Sequence, residues 1–514
     1  MRKPGRTYYA CDCGAGASPR CVPGDDDGAP GTSPSRPWRT YQRLRDAFGR
    51  VQPGDTVAFC KGGSFDVGAG GPWLNYQCRA SKPCLIRDYA PPWGGGSERR
   101  PILRSSGRNV FDFGNPGDAR HKEGVRIINL RLESGGGGWG FFFFNDVDDV
   151  SVCNVEIDGF EVGVHVGGAN PPERGSDGLN ERIEIVGSRI LNCSGNGFLG
   201  ACNDCVVRDS YLWNNGGDSI LLHGIYFGGK GSNERIVNNV IHASGADGKS
   251  RCNGAVVVVH GVHAGMVIEG NQIIAYPGHA GEACWGLSVS AGYGESERFR
   301  DLVIRGNVVK NAGNTPVSVT AAPDALIENN VVIAENPWET VGIEAPLQVR
   351  RAEGDATGRQ DEVMHHATVR NNTVYFGPSA SGRGLHVGVE GTGHVVANNA
   401  VFFAGASRSW SCFQLELPAS AYELVDGNLC WYPRSPGAWE MSTGARDLAA
   451  WRRARPSFDR HSIQADPLFT RPPDDLSPGP RSPLVGRGSL SGPSRRDLTG
   501  KPRDARPDIG AYER

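Results

Sequence analysis

A polar residue after a short apolar run recurs along this chain at a spacing too short for domains and too long for helical turns, and that repeat constrains the fold more than any other feature. It stands at Asn129, Asn154, Ser188, Ser210, Asn239, Asn271, Asn307, Asn330, Asn372, Asn399 and Asn428, 22 to 42 residues apart. Three positions before each anchor, from the third onward, are Ile185, Val207, Ile236, Ile268, Ile304, Ile327, Val369, Val396 and Val425, every one β-branched. Two positions after them are Ile190, Leu212, Ile241, Ile273, Val309, Val332, Val374, Val401 and Cys430. Such residues favour strands, and apolar columns on both sides of one polar bend must face a common interior. One coil of this length cannot bury its own inner face, so the reading is all-β: a parallel β-helix of about eleven stacked coils. Asn suits the bend because it tolerates left-handed backbone, and its stacked amides are expected to form a ladder.

Composition agrees. With 73 Gly and 34 Pro in 514 residues, a long helical bundle is excluded. The 54 basic and 56 acidic residues nearly cancel, leaving no broad field for phosphate backbones or anionic lipid, so nucleic acid and membrane are not expected partners. No run approaches the ~20 apolar residues of a membrane span, and Met1-Arg2-Lys3-Pro4 is followed by no apolar signal core. Fourteen cysteines point to disulfides and a secreted, extracellular or periplasmic setting, with buried thiols as the alternative for several. Cys202-Asn203-Asp204-Cys205 can also be read as half a zinc site, but no second CxxC exists. A monomer is expected.

Two positions before the anchors, Glu269, Arg305, Glu328 and Arg370 alternate in sign on consecutive coils, as outward cross-strand pairs would. Near the start, Trp38 to Val51 carries Tyr41, Leu44, Ala47, Phe48 and Val51 at helical spacing and predicts a helix capping the stack. Residues 1–123 are read as this cap with an irregular first coil, 124–432 as the coils, and 433–514 as an irregular tail laid over the last coils. Cys252 and Cys284, each two residues before a strand-opening Gly on consecutive coils, are expected to form a disulfide.

Tyr8-Tyr9, the stretch from Gly24 to Pro37, Trp38-Arg39-Thr40, Pro53-Gly54-Asp55-Thr56-Val57 and Gly62-Gly63 resemble the opening region of secreted right-handed parallel β-helix proteins of the pectate-lyase-like superfamily. Asp466-Pro467-Leu468-Phe469, Ser482-Pro483-Leu484 and Asp508-Ile509-Gly510-Ala511-Tyr512-Glu513 are similar to its closing segment. The resemblance spans nearly the whole chain. It implies the right-handed fold, a polysaccharide partner, and sugar bound along a third strand of each coil; that strand is read at 163–166, 197–200, 219–223, 255–260, 286–290, 316–320 and 384–389. The superfamily holds lyases, hydrolases, epimerases and proteins without catalysis, so the reaction is left open.

The longest loops entering this sheet, His242 to Asn253 and Ala275 to Trp285, gather His223, His242, His260, His263 and His279 with Asp218, Asp247, Lys249, Arg251 and Glu282. Uronate β-elimination needs a proton acceptor and positive charge or a donor for the developing enolate. Lys249 or His260 is therefore the expected base, Arg251 the carboxylate neutraliser and His223 a sugar-positioning residue. Asp218 and Asp247 are calcium candidates. Trp213, Trp285 and Tyr293 offer faces for sugar rings. No run matches the paired arginines of the classical pectate lyases, and Trp213-Asn214-Asn215-Gly216-Gly217-Asp218 resembles the calcium-site coil of the lysine-dependent ones only loosely. Two rivals stand beside elimination: hydrolysis by paired carboxylates such as Asp218 with Asp247 or Glu282, and a non-catalytic glycan-binding protein, which predicts aromatic residues spread along the sheet.

Overall fold

The computed structural model describes residues 5–114, 122–168, 178–217, 219–244, 252–276, 280–292, 295–346, 358–405, 409–433 and 437–514. The chain divides into two compact units, residues 1–217 with 222–227, and residues 218–221 with 228–514. Within each unit short strands pair in parallel with their equivalents on neighbouring coils, giving three sheets. Parallel pairs require crossovers, and such crossovers are right-handed in nearly all proteins, so these sheets fit a right-handed parallel β-helix. Among the named strands the hairpin of Phe469–Arg471 with Asp475–Pro478 is antiparallel.

The apolar columns face inward. In the second unit Ile236, Ile268, Ile304, Ile327, Val369 and Val396 lie in register and are fully buried. The file of Ile241, Ile273, Val309, Val332, Val374, Val401 and Cys430 does the same on the second sheet. In the first unit Ile185 pairs with Val207 and Ile190 with Leu212. Each such side chain contributes roughly 1.5–3 kcal/mol by leaving water. Outside, Arg305 reaches Glu269 at 2.9 Å and Arg370 reaches Glu328 at 2.8 Å, the alternation expected from sequence.

Between these columns the amides form the ladder. Asn271 Nδ2 donates to Asn307 Oδ1 at 2.9 Å and to the Ile236 carbonyl at 2.8 Å. The pattern repeats through Asn307, Asn330, Asn372 and Asn399 to Asn428. Each Oδ1 also accepts the backbone N–H of the preceding anchor. Every amide thus uses two donors and two acceptor sites, which is what makes a buried polar bend tolerable. The ladder closes where Asn428 Nδ2 meets Asp459 Oδ1 at 3.0 Å and its N–H meets Ser462 Oγ at 2.7 Å.

Several expectations need correction. The left-handed residue is the one before the anchor, as at Asn238, Asn329, Asn371 and Asn398, because the anchor side chain must turn inward to join the ladder. Asn129 and Asn154 are themselves left-handed, at φ 61° and 53°, and the inward positions of their coils are Leu130 and Val155. The polar file of the first unit begins at Ser188, whose Oγ accepts the Val155 N–H. Residues 219–223 are not a third strand: inward alternation starts at Ile225 and Phe227, in the strand Ile225–Ser232, whereas Ile220 and Leu221 are exposed. Third-sheet strands Trp139–Phe144, Glu339–Ala345 and Ser409–Gln414 were not anticipated.

The helix is Tyr41–Phe48, capped by Thr40 Oγ1 and seated on Phe59 and Trp73 through Tyr41 and Phe48. The first residues are more regular than expected, since Thr7–Ala10, Thr56–Cys60 and Cys84–Tyr89 already pair in parallel. Six disulfides are present: Cys11–Cys60, Cys13–Cys21, Cys78–Cys84, Cys202–Cys205, Cys252–Cys284 and Cys412–Cys430. The Cys202 and Cys205 sulfurs are bonded to each other, which removes the zinc reading. Cys252 and Cys284 are joined as expected but lie in the strands Cys252–Ala264 and Ala280–Val289 rather than in loops. Residues after Trp431 return over the left-handed bends. Asn329 and Asn398 bond Arg496 and Ser489 carbonyls, and Asn371 accepts the Ser494 N–H.

Asn330→Leu tests the ladder. It strands the Asn307 amide and backbone N–H and the Ile304 carbonyl, so destabilisation of about 3 kcal/mol is expected from groups left unpaired in the interior. Urea unfolding measures it; a midpoint equal to the parent's would mean that the ladder carries no stability.

Candidate functional site

Of the residues singled out from sequence, Lys249, Arg251, Asp218, Asp247 and Tyr293 lie outside the described residues, as does His279. His223 and Trp213 belong to the first unit, His260 and Trp285 to the second. Trp213 ends the second-sheet strand Tyr211–Trp213, half-buried and paired with Leu191, and so stands on a different sheet from the expected sugar-binding one. Trp285 is half-buried beside Ala255 in the middle of its third-sheet strand Ala280–Val289, with its Nε1 buried and unpartnered among the described residues.

In the first unit the third sheet alternates cleanly. Phe111, Phe141, Val164, Phe198 and Ile225 point into the core, and their neighbours Asp112, Phe142, His165, Leu199 and Tyr226 form an outward file. Rings dominate that file. Trp139 stacks on His165 with centroids 4.8 Å apart, Phe142 stacks on Phe144 at 5.5 Å, and His223 meets Tyr226 edge-on at 5.3 Å. Burial pushes the His165 pKa down to about 4, and its Nδ1 has no partner among the described residues. Half-exposed rings in a row offer flat apolar faces of the kind that sugar rings stack on.

In the second unit the corresponding outward file starts at Val258 and is polar from there on: Ser288, Ser318, Glu344, His386 and Gln414. Their inward neighbours Val257, Leu287, Val317, Ile343, Leu385 and Phe413 fill the core. A connected chain of ionisable groups runs across the last coils. Glu344 Oε1 lies 3.3 Å from His386 Nδ1, and Glu416 Oε1 lies 3.3 Å from His386 Nε2. Gln414 donates to Glu416 and accepts from Arg383 at 2.5 Å, and Thr315 Oγ1 donates to Glu344 Oε2 at 3.4 Å. Glu344 and His386 are buried, whereas the Glu416 side chain is 41% exposed. His386 Nδ1 is within hydrogen-bond reach of Glu344, whereas its buried Nε2 makes no hydrogen bond among the described residues and is the nitrogen placed to accept a proton; the adjoining guanidinium and amide can hold an anion.

His260 projects from the same side of its strand as Val258. Its Nδ1 is 2.5 Å from the Ser290 carbonyl, an acceptor only, so Nδ1 carries the hydrogen and Nε2 is the basic nitrogen. Support lies beneath it. Glu297, fully buried and 3.6 Å from the same Nδ1, accepts the N–H groups of Gly261 and Gly292. Buried His263 bonds the His260 carbonyl through Nε2 at 3.0 Å and Glu234 through Nδ1 at 2.8 Å. His260 is among the residues named from sequence, whereas Glu344, His386, Gln414, Glu416 and Arg383 are not. The signal existed in Gly342-Ile343-Glu344-Ala345 and Gly384-Leu385-His386-Val387, where one ionisable residue alternates with core residues.

No protein-family model matches the sequence, and no curated protein matches it. Among solved structures the chain is similar to the A-module of a mannuronan C-5 epimerase from Azotobacter vinelandii, with 14% identity over 71% of this chain and 90% of that one, at a TM-score of 0.47. A surface adhesin of Streptococcus pneumoniae matches with 12% identity over 73% and 86%, at 0.46. A pectate lyase matches with 12% identity over 100% and 97%, at 0.36.

The aromatic file makes a prediction about pH. Because the folded pKa of His165 lies below the ordinary value of about 6.5, its contribution to stability is complete above that pH and is lost as pH falls toward about 4. An NMR titration should find the ring neutral at pH 5.5; a midpoint near the ordinary value would refute the buried stack.

Proposed function

We propose that this protein is a secreted enzyme that cleaves a uronate-containing polysaccharide by β-elimination. One observation carries the reading: on the outward face of the second unit's third sheet, Arg383, Gln414 and Glu416 are hydrogen-bonded in a row, and beside them His386 is held by Glu344 with its Nε2 unpartnered among the described residues and 3.3 Å from Glu416. Arg383 pairs with the uronate carboxylate, and the Gln414 amide donates to the enolate that develops when the neighbouring C–H is broken. His386 takes that proton. A double bond then forms within the sugar as the glycosidic C–O bond breaks, and protonated His386 returns the proton to the leaving oxygen. The half-exposed rings of the first unit suit the holding of sugar units.

Lys249 or His260 as base, Arg251 as neutraliser and His223 as positioning group form the competing assignment for the same reaction, and the His260 tautomer, with its basic Nε2, favours His260 within that set. Calcium held by Asp218 and Asp247 stays a proposal. Among the described residues no group of three or more His, Cys, Asp or Glu side chains is arranged to hold a metal ion, and no step is routed through one. Six disulfides favour an oxidising, extracellular setting. No helix among the described residues is long and apolar enough to cross a membrane. A hydrolase is the second reading, because Glu344 and Glu416 approach opposite nitrogens of His386 and give two carboxyl groups at one place.

Incubation with uronate-containing and neutral polysaccharides, followed by ultraviolet absorbance of unsaturated uronates and by reducing ends, tests all readings. New ends with unsaturation support elimination, ends without it support hydrolysis, and neither leaves a binding protein. His386→Gln is expected to lower kcat by about 100- to 10,000-fold with the melting temperature retained. Full activity in that variant together with loss in Lys249→Ala or His260→Ala would move the base to the competing set. Loss of activity with a chelator and recovery with calcium supports the metal; indifference removes it.

A further inference from the structure

The first unit carries a cleft of about 980 Å³ on its second sheet, not on the sheet bearing the aromatic file. That size is at the upper end of ligand clefts, roughly 300–1,000 Å³. Its floor is built by two rows of paired residues, Ile102, Arg131, Glu156 and Arg189 in one and Arg104 with Glu133 in the other. Floor carboxylates are satisfied from within: Glu156 lies 2.9 Å from Arg131 and 3.3 Å from Arg189, and Glu133 lies 2.9 Å from Arg104. The glutamates are the more deeply buried partners, so guanidinium groups form the upper surface of the floor.

Two preformed walls stand over it. One is the segment from Gly16 to Arg20, closed by the Cys13–Cys21 disulfide and bonded to Gly62 through the Ser18 N–H at 2.7 Å. The other is the turn before Arg99, fixed by Glu98, which accepts the N–H groups of Gly95 and Gly96, and by the Gly62 N–H bonded to the Arg99 carbonyl. Arg20 and Arg99, both exposed, make no side-chain hydrogen bond or ion pair among the described residues. Six arginines and three glutamates line the cleft of a chain whose net charge is −2. No lysine is among them, and guanidinium forks suit planar or tetrahedral anions better than a point charge does.

We propose that this cleft binds an acidic oligosaccharide, one whose uronate carboxylates or sulfate esters engage Arg20 and Arg99 while its hydroxyls meet the alternating arginine and glutamate floor. An alternating floor offers donors and acceptors together, as a sugar with both anionic groups and hydroxyls requires. The lining contains no aromatic ring on which a nucleobase stacks, and the chain has no extended basic surface to follow a phosphate backbone. This site stands independently of the elimination reading, because its readout is binding.

Isothermal titration of the full chain tests it, using a galacturonate hexasaccharide, a sulfated hexasaccharide of neutral sugars, a neutral hexasaccharide and a short single-stranded oligonucleotide. At least one acidic sugar should bind, and which of the two binds identifies carboxylate or sulfate as the recognised group. Arg20→Ala/Arg99→Ala should weaken it at least about tenfold, with Arg99→Glu weakening it further and melting temperatures unchanged. The same loss should appear in a His386→Gln background, which separates the cleft from the proposed catalytic face. Equal binding by the double variant, equal binding of the neutral sugar, tighter binding of the oligonucleotide, or no binding by either acidic sugar overturns the proposal.

Discussion

Stacked bends are the constraint on which the second unit depends. Each coil turns from its first to its second sheet through a buried polar side chain, and burying an amide without partners costs more than one apolar column position returns. The seven anchors from Asn239 to Asn428 meet this by bonding to each other. Since each Asn also holds the carbonyl of a β-branched residue one coil earlier, as Asn271 holds Ile236, the polar ladder and the apolar column fix the same register. A slip by one residue would turn the column outward and break the ladder together. Coils can therefore differ in length, from 23 to 42 residues between these anchors, without losing alignment.

That coupling explains what could be read from the sequence. The inner columns were legible because identity and spacing were both constrained, at Ile268 and Ile273 as at Val396 and Val401. In the first coils the bend is carried by Leu130 and Val155, and without an inward polar residue the alignment slid onto the neighbouring left-handed Asn129 and Asn154. Third-sheet strands lack any anchor of their own. There the alternation must be read from a few residues, which is why residues 219–223 were mistaken for a strand and Glu339–Ala345 was passed over. His260 stands out in the sequence because it belongs to the histidines gathered around the two long loops. His386 and Glu344 escaped because each stands alone between core residues in a short strand, where an outward polar residue is the default.

The two units spend their outward positions differently. In the second, the first sheet carries the alternating ladder from Glu269 to Arg370, whose more exposed Arg305–Glu269 pair adds little stability but, with the buried Glu328 held by Arg370, resists misregistration. Its second sheet turns Val331, Ile333 and Tyr375 outward, and these are covered by Leu476 and Ala511 with Phe469, Leu498 and Tyr512 packed beside them. Buried Arg503 fastens this cover, reaching Glu513 at 2.9 Å and Asn329 at 2.9 Å. With one face given to charge pairing and another sealed by the returning tail, the third sheet is left to hold chemistry.

The same reasoning applied to the first unit gives a different result. Its second sheet turns Arg131, Glu156 and Arg189 outward instead of apolar residues, and no returning segment among the described residues seals them. An apolar row there would demand a cover; a charged row can face water or a polar ligand. The Cys13–Cys21 disulfide and the Glu98 turn then raise walls beside the row without closing over it, with Arg20, which faces Glu98, and Arg99 exposed at its edges and making no side-chain hydrogen bond among the described residues. The stability of the β-helix does not require that arrangement, since its core lies beneath both rows, and this is the physical reason to assign the cleft to recognition rather than to folding.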